Sequence, residues 1–181
     1  MSFTFFVKTN TPFSQWHPSF FLIDGIDFSC AEEYMMLMKA KTFGDEQAAQ
    51  RIRHLSAPWR QRSPLTWEDI VRCDLQAEWK DFCTALKQIG REVQGYDHII
   101  WSDLARPLVF RGNFAKFTQN IHLRQALFAT AGTVIVEAAS YDKVWGIGLD
   151  ADDPRAQDPA QWQGTNWLGE VLTTLRDGLM G

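Results

Sequence analysis

Residues 28–45 read FSCAEEYMMLMKAKTFGD. Ser29 is in position to cap a helix, with Glu32 three residues on, the S-x-x-E pattern of a capping box ahead of an apolar run. Nothing from Cys30 to Phe43 breaks a helix, and Gly44 suits its C-terminal stop. Glu32 and Lys39 are seven residues apart, nearly two turns, so both lie on one face about 10 Å apart along the axis. Met36 falls between them, and Ala31, Met35 and Met38 form a neighbouring stripe. A helix with this little polar surface is buried, so Glu32 and Lys39 are expected to line an interior cleft. A plainer reading stays open on geometry alone. Glu32 then only caps the helix, and Lys39 only extends its amine to water.

The chain around this stretch has 181 residues, of which 45% are hydrophobic. That supports one globular domain with a real core. A net charge of −4 argues against non-specific binding to phosphate backbones, while leaving action on a nucleotide or single base open. Eight tryptophans and thirteen phenylalanines can stack planar rings, although most are expected to fill the core. The three cysteines, Cys30, Cys73 and Cys83, form no C-x-x-C pair and no zinc spacing. Their low, odd number suggests reduced thiols in a cytoplasmic protein. The N-terminal MSFTFFVKTNTPFSQW lacks a basic region followed by a long apolar run, no stretch is long enough to span a bilayer, and no repeat is evident.

Outward from the helix, SFFLIDGIDF (Ser19–Phe28) predicts a hairpin with Asp24-Gly25 as its turn. DEQAAQRIRHL (Asp45–Leu55) predicts a short amphipathic helix, with Pro58 and Pro64 bracketing a break. Thr66 caps a longer helix, with Asp69 three positions on and an apolar period from Trp67 to Leu86. Asp103 or Ser102 caps a helix starting near Leu104, with Pro107 in its first turn. IHLRQALFATAG is a helix ending at Gly132, TVIVEAA (Thr133–Ala139) a buried strand, and DADDPRAQDPAQWQG a surface loop. Asn166 or Thr165 caps the last helix. The order of elements predicts a predominantly helical α+β domain with small β elements.

No G-x-S-x-G, H-E-x-x-H or Walker loop is present, and the four histidines have no ligand spacing, so no metal or cofactor is expected. What remains are carboxylates in apolar settings. Glu137 ends VIVE, and Asp142 precedes VWGIG. Charges there are costly unless paired or functional, and a salt bridge or loop cap is the bland account of each one. Taken together, Glu32, Lys39, Glu137 and Asp142 form the better constellation, with Trp101 and Trp145 as a stacking surface.

These motifs bear a resemblance to a known family. FSCAEEYMMLMKAKTFGD, W-x4-R (Trp101–Arg106), GNFAKFTQN (Gly112–Asn120), VEAASYDKVWGIGL (Val136–Leu149) and W-x-G-x-N-x-L-G-x-x-L (Trp162–Leu172) occur in the order of the YbiA-like, or NADAR, domain. PFSQWHPSFF (Pro12–Phe21) resembles its N-terminal FSNFYPSPF. The resemblance covers nearly the whole chain and implies a single YbiA-like domain over 1–181, with a helical insertion at about 59–85. It implies an N-glycosidase acting on riboflavin-pathway pyrimidine ribose phosphates, or on ADP-ribosylated guanine, including such a base in nucleic acid. It aligns Glu32 with the glutamate of an EH or EQ pair, Lys39 with the lysine of a KA dipeptide, and Trp101 and Asp142 with functional motif positions. Glu33 departs from the family's usual His or Gln.

Breaking a ribose C1–N bond builds positive charge on the sugar, which a carboxylate such as Glu32 or Asp142 stabilises or relieves by activating water. Alternatively, Lys39 attacks C1 and opens the sugar as an imine. Trp101 and Trp145 would flank the base, Arg106, Arg111 and Lys116 would meet a phosphate, and Glu137 and Asn166 complete the substrate-binding candidates. The rival reading is a module that binds ADP-ribose or a nucleotide without cutting it. The number of assembled chains is not legible.

Overall fold

The computed structural model describes residues 2–62 and 64–181. The chain divides into two compact units, Gln15–Asn120 and a discontinuous one in which the residues up to Ser14 join Ile121–Gly181.

In Gln15–Asn120, β2 (Phe21–Ile23) and β3 (Ile26–Phe28) form the expected hairpin. Its turn places Asp24 at φ 52° and Gly25 at φ 76°. Two successive left-handed residues match the strands' twist, which is why Asp-Gly sits there. Helix α1 (Ala31–Thr42) is buried along most of its length. It packs against α2 (Glu46–Gln61), α4 (Gln76–Arg91) and α5 (His98–Gln119).

Three boundaries in this unit differ from the sequence expectation, and a fourth in the other unit, where the helix expected to end at Gly132 stops at Phe128. Helix α2 runs through Pro58 to Gln61. Trp59 lies beyond the proline and meets Trp79 edge-on at 5.0 Å and Phe82 at 5.6 Å, so the burial of three rings outweighs one lost backbone bond. The long helix predicted after Thr66 is two helices, α3 (Trp67–Arg72) and α4, separated by Asp74 at φ 55°. The Thr66–Asp69 capping box itself is present. Helix α5 begins six residues before Leu104 because Asp97 accepts from the amides of Ile99 and Ile100 at 2.8 and 3.1 Å. Pro107 therefore lies inside the helix rather than in its first turn.

In the other unit, β1 (Phe3–Phe6) pairs parallel with β4 (Val134–Glu137), Phe3 opposite Val134 and Phe6 opposite Glu137. β4 is the strand expected from TVIVEAA, and its partner is the N-terminal segment. Helix α6 (Ile121–Phe128) and helix α7 (Trp167–Met180) pack together, and α7 lies on β4. That approach depends on Gly169, where a Cβ would strike the backbone oxygen of Ile135. Two short 3-10 turns, Pro154–Gln157 and Pro159–Gln161, occupy the segment expected to be loop. Val136, Ala138, Ile147, Leu149 and Ala156 form a buried cluster beneath Phe3, Phe5 and Trp162.

Candidate active site

The two adjacent glutamates of α1 part company in three dimensions. Glu33 is fully buried and both its oxygens are engaged. Oε2 accepts from the Ser29 amide at 2.8 Å and from the Ser29 hydroxyl at 2.7 Å. Oε1 accepts from Arg53 and Arg60, each at 2.9 Å. The same arginines reach Asp27, Arg53 at 2.8 Å and Arg60 at 3.3 Å. Burial tends to raise the Asp27 carboxyl, but the Arg53 bond and the charges of Arg60 and Arg53 outweigh it and hold the carboxyl below its usual range. Two acids and two guanidinium forks make a neutral quartet that ties α2 to α1 and β3.

This quartet corrects the capping-box reading. The N-cap residue of α1 is Cys30, which makes no side-chain cap bond. Ser29 instead donates from both its amide and its hydroxyl to Glu33, four residues on. The departure from the family's His or Gln is thereby explained, since Glu33 is a buried anchor for two α2 arginines. The spacing of Arg53 and Arg60, seven apart on one helix face, was the signal that sequence reading left unused.

Glu32 lies about 100° round the helix from Glu33. It is only 6% exposed, and its amide is held by the Gln15 carbonyl at 2.9 Å. Two turns on, Lys39 is half-buried against aromatic faces. Its Nζ lies 4.3 Å from the Tyr96 ring centroid and 5.7 Å from that of Trp101. Phe43 closes the group, 5.4 Å from Tyr96 and 6.5 Å from Trp101. Burial, and then the charge of Arg91, lowers the Lys39 amine below its ordinary value. Trp101 is itself buried, whereas Tyr96 is 44% exposed. Sequence reading missed Tyr96, which sits in a loop after Gly95 and carries no periodic signal.

The three cations proposed for a phosphate have different fates. Arg111 closes both prongs of a carboxylate at the hairpin turn, Asp24, at 2.8 Å each, and that bond raises its already high value further. Arg106 is exposed on α5. Lys116 is completely buried, its Nζ 5.1 Å from the Phe117 ring, and burial pushes the amine down to about 7.

The remaining candidates lie in the unit with β4. Asp142 Oδ1 accepts from the amides of Val144 at 3.0 Å and Trp145 at 2.8 Å, which folds the 142–149 loop around it. Glu137 ends β4, and its carbonyl accepts from the Ile147 amide at 2.9 Å. Asn166, left-handed at φ 53°, precedes α7 without capping it. Its amide instead accepts from Glu137 N–H and donates to the Ile135 carbonyl, 3.0 Å each, locking β4 to the start of α7. Trp145 meets Trp167 edge-on at 5.7 Å. Among the described residues no group of three or more His, Cys, Asp or Glu is gathered to hold a metal ion. No helix among them is long and apolar enough to cross a membrane.

Comparison with known proteins gives a consistent result. A family model for the NADAR domain matches residues 4–180. N-glycosidase R617 of Acanthamoeba polyphaga mimivirus is 34% identical over 170 residues, covering 91% of this chain and 85% of its own length. Protein irg-1 of Caenorhabditis elegans is 31% identical over 193 residues, covering 98% and 79%. The NMR structure of the E. coli protein YbiA matches with a TM-score of 0.67 at 22% identity, over 99% of this chain and 85% of that one, a likeness of fold.

Proposed function

The chain belongs to the NADAR domain family, and from that premise we propose that it is a hydrolase that cleaves the bond between a ribose C1 and a base nitrogen. The observation that carries the reading is on α1. A buried carboxylate, Glu32, shares a helix face with an amine, Lys39, that is drawn out of water between aromatic rings. The name of the mimiviral relative, an N-glycosidase at 34% identity, supports the same chemistry.

In the proposed mechanism the neutral Lys39 amine attacks C1. Its lone pair forms the new bond while the C1–N bond breaks, and that electron pair leaves with the base, which takes up a proton. The attached nitrogen gives up a proton, the lone pair so freed pushes open the C1–O bond of the ring, the ring oxygen takes a proton, and an iminium remains. Water adds to C1 and returns the free amine and the sugar. The depressed affinity of Lys39 for its proton supports this route, because only the unprotonated amine is a nucleophile. Glu32 acts as the carboxylate that offsets charge developing at C1 and takes the proton from the attacking water.

The first substrates to test are the diaminopyrimidine ribose phosphate of riboflavin synthesis and ADP-ribosylated guanine. Released base is followed by chromatography. Glu32→Gln is expected to lower the rate about 10²- to 10⁴-fold. A change within a few-fold would return Glu32 to a structural role. Tight binding of either compound by calorimetry with no base released on long incubation would favour a non-catalytic binding module instead.

A further inference from the structure

Tyr96 is the nearest aromatic ring to the Lys39 amine, at 4.3 Å from Nζ to the centroid, and the amine lies over its face. That is direct cation–π range. The ring is held in turn. Phe43 packs against it edge-on at 5.4 Å, and its hydroxyl lies 3.4 Å from Nδ1 of His98. It sits one residue before Asp97, the residue that starts α5, so its backbone is anchored to the helix that carries Trp101. Tyr96 takes no part in the steps proposed for Lys39 and Glu32.

We propose that Tyr96 is a positioning residue, whose ring face holds the Lys39 nitrogen in place and stabilises the cationic iminium that it forms with the sugar. This rests on the reading of Lys39 as the attacking amine. A free lysine side chain has four rotatable bonds and loses rotamer entropy on being fixed. An aromatic face beside it both restricts those rotamers and stabilises a positive nitrogen without competing as a base. Trp101, at 5.7 Å, is a second and weaker wall.

The test is reductive trapping. Ribose 5-phosphate, whose open-chain aldehyde condenses with an amine and loses water, is incubated with the protein and cyanoborohydride. Hydride reduces the iminium to a stable secondary amine, and peptide mass spectrometry locates it. The wild type is expected to carry the adduct on Lys39, with Tyr96→Phe within two-fold of it. Tyr96→Leu is expected to fall roughly tenfold, the size of effect that a partly desolvated cation–π contact supports. Replacing residue 96 by phenylalanines bearing one, two and three ring fluorines keeps the shape and weakens the ring's negative face. Trapping should decline stepwise across that series, a trend that a merely structural ring does not produce, and the series stands even if Tyr96→Leu folds poorly. Equal trapping in Tyr96→Leu or a flat fluorine series overturns the role of Tyr96 and leaves Lys39 as the nucleophile. No adduct on Lys39 in the wild type overturns both.

Discussion

Lys39 and Lys116 are both amines withdrawn from water, to different depths. For Lys116 the sign of the effect on stability follows from its proton. Folded, it releases the proton near 7, and unfolded, near 10.5. Between those values the unfolded chain binds more protons, so unfolding becomes harder as pH rises, by a few kcal/mol at most on an order-of-magnitude scale. Below about pH 7 the cost of burying the charge is fully present. Urea unfolding from pH 6.5 to 9.5 is expected to show stability rising with pH, and Lys116→Met should flatten that rise. For Lys39 the readout is rate. The kcat–pH profile should climb through a point below the ordinary lysine value, because burial lowers it. Lys39→Arg, which keeps its proton, should show no released base at any pH tested. Much of this scale was legible early. The seven-residue spacing put Glu32 and Lys39 on one face, but no local pattern separates Glu32 from Glu33, since S-x-x-E and S-x-x-x-E both fit Ser29-Cys30-Ala31-Glu32-Glu33.

At the scale of elements, the Glu33 quartet holds α1, α2 and β3 together, and breaking a buried pair leaves charges without partners. Glu33→Gln is expected to cost about 3–5 kcal/mol. That corresponds to a drop of about 10 °C in a calorimetric melt for a chain of this size. The folded fraction should keep near wild-type kcat, the opposite pattern from Glu32→Gln. The quartet also weakens in acid. Asp27 titrates below its ordinary value when folded, so its contribution is present above the unfolded value of 3.8 and lost as pH falls through the lowered one. Gly169→Ala places a methyl group against the Ile135 carbonyl, so α7 must move off β4. Overpacking of this kind costs about 1–3 kcal/mol, measurable as a lower urea midpoint. The hairpin and the Thr66 capping box were readable because each is closed by residues three or four apart. Pro58 and Pro107 misled the boundaries because a local breaker is weaker than the burial of the rings and apolar residues beyond it.

Across the whole molecule, the N-terminal strand belongs with a strand far along the chain. β1 pairs with β4, and the Thr4 and Thr133 hydroxyls, 129 residues apart, meet at 2.7 Å. Removing residues 1–6 strips β4 of its only partner strand among the described residues and uncovers the cluster under Phe3 and Phe5. The shortened protein is expected to melt earlier and to aggregate in size-exclusion chromatography, as an unpaired apolar edge does. The sequence by itself determined the hairpin, the mainly helical character and the acid and amine two turns apart on α1. Each of these depends on residues within a turn or two of one another. Tertiary structure alone decided that Glu33 is bound by arginines 20 and 27 positions away, that Tyr96 rather than Trp101 lies nearest the Lys39 amine, and that Lys116 is inside. The reason is physical. Burial and ion pairing are set by which distant helices pack together, and local periodicity carries no record of that choice.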